Sequence, residues 1–119
     1  MKQGLGRDQR IKKKSEFKQL FDQGKTARGK FFSVWILENS SGKIPSSRCA
    51  ISVSKKVDKR ATARNLWKRR IREAFRRNQN SFKSGIAVLF KARSGMAAPA
   101  YTEIEREMKY LLGKTGFLR

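Results

Sequence analysis

The chain predicts a single small α/β domain, with elements in the order α, β, β, α, β, α and a sheet packed by helices. Three observations lead there. Its 119 residues have the length of one domain, with no internal repeat. Apolar residues recur at helical spacing around 17–21, 63–78 and 101–112, and stretches rich in β-branched and aromatic residues, FFSVWILE at 31–38 and GIAVLFKA at 85–92, lie between them.

Residues 1–14, MKQGLGRDQRIKKK, carry two glycines and six basic side chains with little periodicity, which predicts a basic, flexible N-terminal arm. The domain proper is expected over 15–119. Ser15 is placed to cap a helix over 15–23, with Glu16 in its first turn, Phe17, Leu20 and Phe21 on one face, and Gly24 as its stop.

FFSVWILE is followed by the turn cluster SGKIPSS at 41–47 and by RCAISVS at 48–54. In the last of these, Cys49, Ile51 and Val53 alternate with Ala50, Ser52 and Ser54. The pair of stretches predicts a hairpin with one large apolar face and one face that is partly small and polar, a floor for something extended. From Ala61 to Asn78 there is neither Gly nor Pro, and the longest helix is expected there. The run Ile86–Phe90 predicts a strand buried on both faces, ended by Gly95 and Pro99. Tyr101, Ile104, Met108, Leu111 and Leu112 predict an amphipathic helix over 99–112 with Pro99 near its start.

Thirty Lys and Arg against nine Asp and Glu give a formal charge of +21, which makes the isolated domain repel itself unless a polyanion neutralises it. Nucleic acid comes first, because phosphate contacts by Lys and Arg release condensed counterions; an anionic membrane comes second. With 38% hydrophobic residues, including eight Phe and two Trp, the chain carries more apolar material than a disordered basic tail. The single Cys49 excludes an intramolecular disulfide and any multi-cysteine metal site, and predicts a reducing compartment and a small core residue. The basic N-terminus lacks a following apolar run, and no stretch is long and apolar enough to cross a bilayer, so a soluble, cytoplasmic protein with no membrane partner is expected.

The most unusual segment is RNLWKRRIRE at 64–73. Wound at roughly 100° per residue, the helix gathers Ala63, Trp67, Ile71, Ala74 and Phe75 into one sector, and Asn65, Lys68, Arg69, Arg72 and Arg76 into the next, with Arg64 at the boundary. No carboxylate falls within the second sector. Arg64, Lys68, Arg72 and Arg76 repeat like charge at i,i+4, a spacing that costs a few tenths of a kcal/mol per pair. A helix face kept for solubility normally mixes signs, whereas a phosphate backbone turns the repulsion into affinity. Membrane insertion would need the apolar sector that a small domain requires for its core. The Asn65 carboxamide has two readings, a contact to RNA or a local hydrogen bond near the helix start. Phe17 and Phe21 also have two, ordinary core packing or base stacking.

A chain without histidine lacks a histidine general base, and its acidic residues are mostly scattered. Glu103, Glu105 and Glu107 are the exception. Glu103 with Arg106 and Glu105 with Lys109 have salt-bridge spacing, so a solvated face is expected rather than a metal site. Gly4-Leu5-Gly6 lacks the features of a nucleotide-binding loop.

Three motifs occur together: F-x-x-x-F at Phe17 and Phe21 ahead of Gly24, SVSKK at 52–56 and ARNLWKRRIREAF at 63–75. In these the chain closely resembles the protein subunit of bacterial ribonuclease P, over most of its length. The resemblance implies a left-handed β-α-β crossover, which handedness rules alone would not predict. It implies binding to a catalytic RNA and to precursor tRNA, whose 5′ leader that RNA removes. The phosphodiester chemistry would belong to the RNA and its Mg²⁺ ions, with no catalytic residue, metal site or cofactor on the protein. By position, Arg64, Asn65, Lys68, Arg69 and Arg72 would face the catalytic RNA, and Arg76 continues that face. Phe17, Phe21, Trp35, Lys55 and Lys56 would line a cleft for the single-stranded leader, with Ser52 and Ser54 as its small polar floor. Leu66 departs from the pattern, since many members of that family carry a second basic residue after the Arg-Asn pair; Lys68, Arg69 and Arg70 are candidates to compensate. A structural basic RNA-binding protein of ribosomal type and a protein-only nuclease are the competing expectations.

Overall fold

The structure is a computed structural model that describes residues 14–38, 48–82, 85–94 and 97–118. Helix α1 spans Lys14–Gln23, strand β1 Lys25–Arg28, β2 Phe32–Glu38 and β3 Arg48–Ser52. Helix α2 spans Ala61–Arg77, β4 Ile86–Ala92 and α3 Tyr101–Lys114. The expected element order holds with one short strand added. Residues 1–13 of the N-terminal arm expected over 1–14, the turn cluster at 41–47 and Gly95 lie outside the described residues.

The expected hairpin between 31–38 and 48–54 is not formed. The four strands lie in the order β1-β2-β4-β3; β2 pairs antiparallel with β1 and β4, and β3 pairs in parallel with β4. Alternation specifies which face of a strand is buried but not which neighbour it takes, and β3 satisfies its alternation as an edge beside β4. The hairpin partner of β2 is β1, whose sequence KTAR buries one residue, Ala27, and so carries almost no hydrophobic signal. The strands β3 and β4 are joined through α2 as a parallel crossover.

Two boundaries also move. Helix α1 already includes Lys14, so Ser15 lies inside it rather than at its cap. Helix α3 begins at Tyr101, with Ala100 extended and its N–H donated to Glu103 Oε1 at 3.3 Å, so Pro99 stands before the helix. It runs past Leu112 to Lys114 because Thr115 Oγ1 and the Thr115 N–H both donate to the Leu111 carbonyl, at 2.9 and 3.1 Å.

The sheet divides the core in two. On one face Phe32, Val34, Ile36, Val88, Phe90 and Cys49 meet Trp67, Ile71 and Phe75 of α2 and Ile104, Met108 and Leu111 of α3. Rings of Phe32, Phe90, Phe75 and Phe82 follow one another at centroid separations of 5.6, 5.9 and 5.7 Å, which ties the sheet to α2. On the other face a smaller cluster gathers Leu20 and Leu89 with Phe17, Trp35, Leu37 and Ala50 under α1. The strand β4 is thus covered on both sides over most of its length, as its apolar run predicts. Gly24 makes the sharp exit from α1 possible: a Cβ there would stand 2.4 Å from the Leu20 carbonyl oxygen.

Candidate nucleic-acid interface

The sheet face that carries α1 is built in rows, because residues paired across strands project to the same side. The first row is Arg28, Ser33, Lys91 and Ser52, one residue from each strand. The second is Thr26, Trp35, Leu89 and Ala50, and the third contains Leu37, Ala87 and Arg48. Helix α1 packs over the apolar part of the second and third rows. Arg28, Ser33 and Lys91 of the first row, with Trp35, Ser54, Lys55, Lys56 and Arg93, border a trough of about 830 Å³.

The two phenylalanines differ in burial. Phe17 is half-buried and packs into the cluster under α1. Phe21 is 52% exposed, and its ring meets Trp35 edge to face at 5.2 Å. An aromatic pair therefore stands beside a trough bordered by Arg28, Lys55, Lys56, Lys91 and Arg93. Stacked bases and a phosphate chain are what such a surface accommodates without reading sequence. Ser54 borders the trough and is exposed, whereas Ser52, exposed at the end of β3, is not among the residues that line it. Arg28, Ser33, Lys91 and Arg93 escape sequence reasoning because β1 is not recognisable; once β2 and β4 are paired, the parity of Lys91 with Leu89 and of Ser33 with Trp35 places them on this side.

Of the sector its wheel predicts to pack, helix α2 buries Trp67, Ile71, Ala74 and Phe75, while Ala63 is half-buried. On the adjacent face Asn65, Lys68, Arg69 and Arg72 border a shallow groove of about 630 Å³ with Thr62 and Leu66. Nothing among the described residues hydrogen-bonds the Asn65 carboxamide, so the local reading of this residue finds no support. Two of the expected cations are otherwise engaged. Arg64 folds back to donate to the carbonyls of Asp58 and Lys59 at 2.9 and 2.8 Å. Arg76 is held by Glu73, which lies outside the stripe on the wheel but reaches it, and which also accepts from Arg77 at 2.9 Å. The hydrogen bond from Arg76, followed by its charge and by Arg77, holds the Glu73 carboxyl below its ordinary pKa. Arg70 donates to the carbonyls of Ala98 and Pro99 through Nη1, tying α2 to the approach to α3. The loop over 53–60 leads out of β3 into α2 and joins the trough to the helix stripe.

The three glutamates of α3 do not form a solvated salt-bridged face. Glu103 caps the helix, Glu105 accepts from Asn78 Nδ2 at 2.9 Å and Tyr101 Oη at 3.0 Å, and Glu107 receives backbone N–H groups from the β1–β2 turn. The Asn78 bond, then that of Tyr101, holds the Glu105 carboxyl below its ordinary range, while burial raises the pKa of Tyr101. Among the described residues no group of three or more acidic, histidine or cysteine side chains is arranged to hold a metal ion, and no helix is long and apolar enough to cross a membrane.

Comparison with known proteins supplies the rest. The family model for ribonuclease P matches residues 5–116. The ribonuclease P protein component of Clostridioides difficile is 36% identical over 112 residues, covering 93% of this chain and 95% of that relative. That of Clostridium beijerinckii is 36% identical over 111 residues, covering 90% and 88%. Among solved structures, the RNase P protein of Staphylococcus aureus superposes with a TM-score of 0.80 at 27% identity, covering 93% of this chain and 98% of that one. The RNase P protein from Thermotoga maritima does so with a TM-score of 0.76 at 27% identity, covering 88% and 96%.

Proposed function

Since the chain belongs to the ribonuclease P protein family, we propose that it is the protein component of that tRNA-processing ribonucleoprotein, holding the catalytic RNA with α2 and the 5′ leader of precursor tRNA in the trough beside α1. One observation carries the leader assignment. The half-exposed Phe21 stands against Trp35 at the apolar side of a trough whose open side is bordered by five cations, Arg28, Lys55, Lys56, Lys91 and Arg93. A single strand laid there stacks bases at one side and neutralises phosphates at the other. A mature tRNA, which lacks the leader, has nothing to place in it.

The catalytic RNA falls to the groove of Asn65, Lys68, Arg69 and Arg72, where the guanidiniums contact phosphate and the Asn65 carboxamide donates and accepts at a base edge or a 2′-hydroxyl. Arg64 and Arg76 contribute charge from either end while their hydrogen bonds to the Asp58 and Lys59 carbonyls and to Glu73 hold them in place. In this reading the reaction and its Mg²⁺ ions belong to the RNA. The protein positions substrate and offsets the repulsion between two RNA backbones.

The test is cleavage of precursor tRNA at low Mg²⁺ by this protein alone, by a bacterial catalytic RNA alone and by both together. Cleavage that appears or rises only in the mixture is expected. Cleavage by RNase-treated protein alone would revive a protein-only nuclease, and no gain in the mixture would leave a structural RNA-binding protein. For the helix, Arg69→Ala and Arg72→Ala are each expected to weaken catalytic-RNA binding and to reduce the slope of log affinity against log salt by about one. A slope unchanged in both variants would mean that these residues face solvent in the complex.

A further inference from the structure

The turn that joins β1 to β2 is fastened from the far side of the sheet. Three successive backbone N–H groups, those of Lys30, Phe31 and Phe32, point at the carboxylate of Glu107 on α3, at 2.6, 2.8 and 3.0 Å. Consecutive N–H groups that converge in this way form a concave site for an anion, and here the anion is a side chain of the same protein. The turn is made to fit it. A Cβ at Gly29 would stand 2.5 Å from the Glu107 carboxyl carbon, so a side chain there would force the carboxylate out. Arg93 completes the fastening by donating from its guanidinium to the Gly29 carbonyl at 3.0 Å and from its backbone N–H to the Phe31 carbonyl at 2.9 Å.

The residues on either side of this turn are Arg28 and Ser33, which pair with each other across β1 and β2 and begin the first row beside the trough. Arg93, which grips the turn, borders the same trough. The carboxylate sits on the α3 side, and the cations face the α1 side. We propose that Glu107 is a positioning residue for the trough: by fixing the β1–β2 turn it sets Arg28 and Arg93 at its open end, and so governs leader binding without touching RNA. This rests on the leader reading given above.

The experiment uses the holoenzyme reconstituted with catalytic RNA and compares affinity for precursor and mature tRNA among wild type, Glu107→Ala, Glu107→Gln, Ile104→Val and Phe21→Ala. Ile104 lies on the same helix but faces the main core, so its variant reports loss of stability alone. Glu107→Ala leaves the turn without its acceptor, and coupling through a rigid element of this kind is typically worth roughly 2- to 30-fold; the preference for precursor is expected to fall within that range. Glu107→Gln keeps one acceptor oxygen and is expected to lose part of the preference, which keeps the test alive should the alanine variant fail to fold. Faster amide exchange at Lys30, Phe31 and Phe32 should accompany the loss, with catalytic-RNA affinity unchanged. Wild-type preference in both Glu107 variants, with the preference lost in Phe21→Ala, overturns the positioning role and leaves the leader reading standing. An equal loss in Ile104→Val also overturns it, as general destabilisation. Preference retained in every variant overturns both.

Discussion

Phe21→Ala is expected to weaken binding of leader-bearing tRNA by about 1–3 kcal/mol, the value of one stacked base, and to leave mature tRNA unaffected. Phe21 gives a cleaner test than Phe17, because Phe17 helps hold α1 on the sheet while the Phe21 ring is 52% exposed and touches Trp35 by its edge. The change to the free protein is correspondingly small, about 0.5–1.5 kcal/mol for the lost aromatic pair. Equilibrium binding to the holoenzyme with both substrates decides the matter. Equal losses for precursor and mature tRNA would place Phe21 outside the leader path and transfer the assignment to some other surface.

Trp67→Ala should destabilise the fold severely. Trp67 is fully buried on α2 against the sheet, and removing so large a side chain from a core costs about 3–5 kcal/mol, against a total stability of roughly 5–15 kcal/mol for a domain. At about 4–8 °C per kcal/mol the melting temperature should fall by tens of degrees. Trp67→Phe should cost far less than the lost volume indicates. The Trp67 Nε1 atom is buried with no acceptor among the described residues, and an unpaired buried donor costs about 1–3 kcal/mol that phenylalanine does not incur. Thermal melts of both variants would show it. If the phenylalanine variant were as unstable as the alanine one, the indole N–H would have to be satisfied in solution. The consequence for function is direct, since Trp67 anchors the helix that presents Asn65, Lys68, Arg69 and Arg72.

What the sequence made legible depends on periodicity. Trp67, Ile71, Ala74 and Phe75 repeat at helical spacing, and α2 buries those four. Ile86 to Phe90 form an apolar run, and β4 lies between two layers. Strand pairing has no such signature: β3 alternates as an inner hairpin strand would, yet it is an edge. KTAR shows nothing, because its strand is held by backbone bonds to β2 and buries Ala27 alone. The cations of β1 and β4 were hidden for the same reason, since which charges share a trough is decided by pairing. Long side chains account for the remainder. Arg64, Arg70 and Glu107 each reach a partner that Cα spacing on a wheel does not reveal.

The strand order has one more consequence, for the protein before it meets RNA. Among the described residues the sheet is open, and β1 and β3 are its outer strands. Bare edges recruit further strands and so seed aggregation, and natural sheets commonly guard them with short strands and lysines. Strand β1 is four residues long with Lys25 and Arg28 at its ends, and β3 is five residues long, starts at Arg48 and is followed by Lys55 and Lys56. In the proposed function these basic side chains meet phosphate, and at the sheet edges they would also keep one copy from growing onto another; Lys55 and Lys56 changed together to uncharged residues should make the RNA-free protein less soluble.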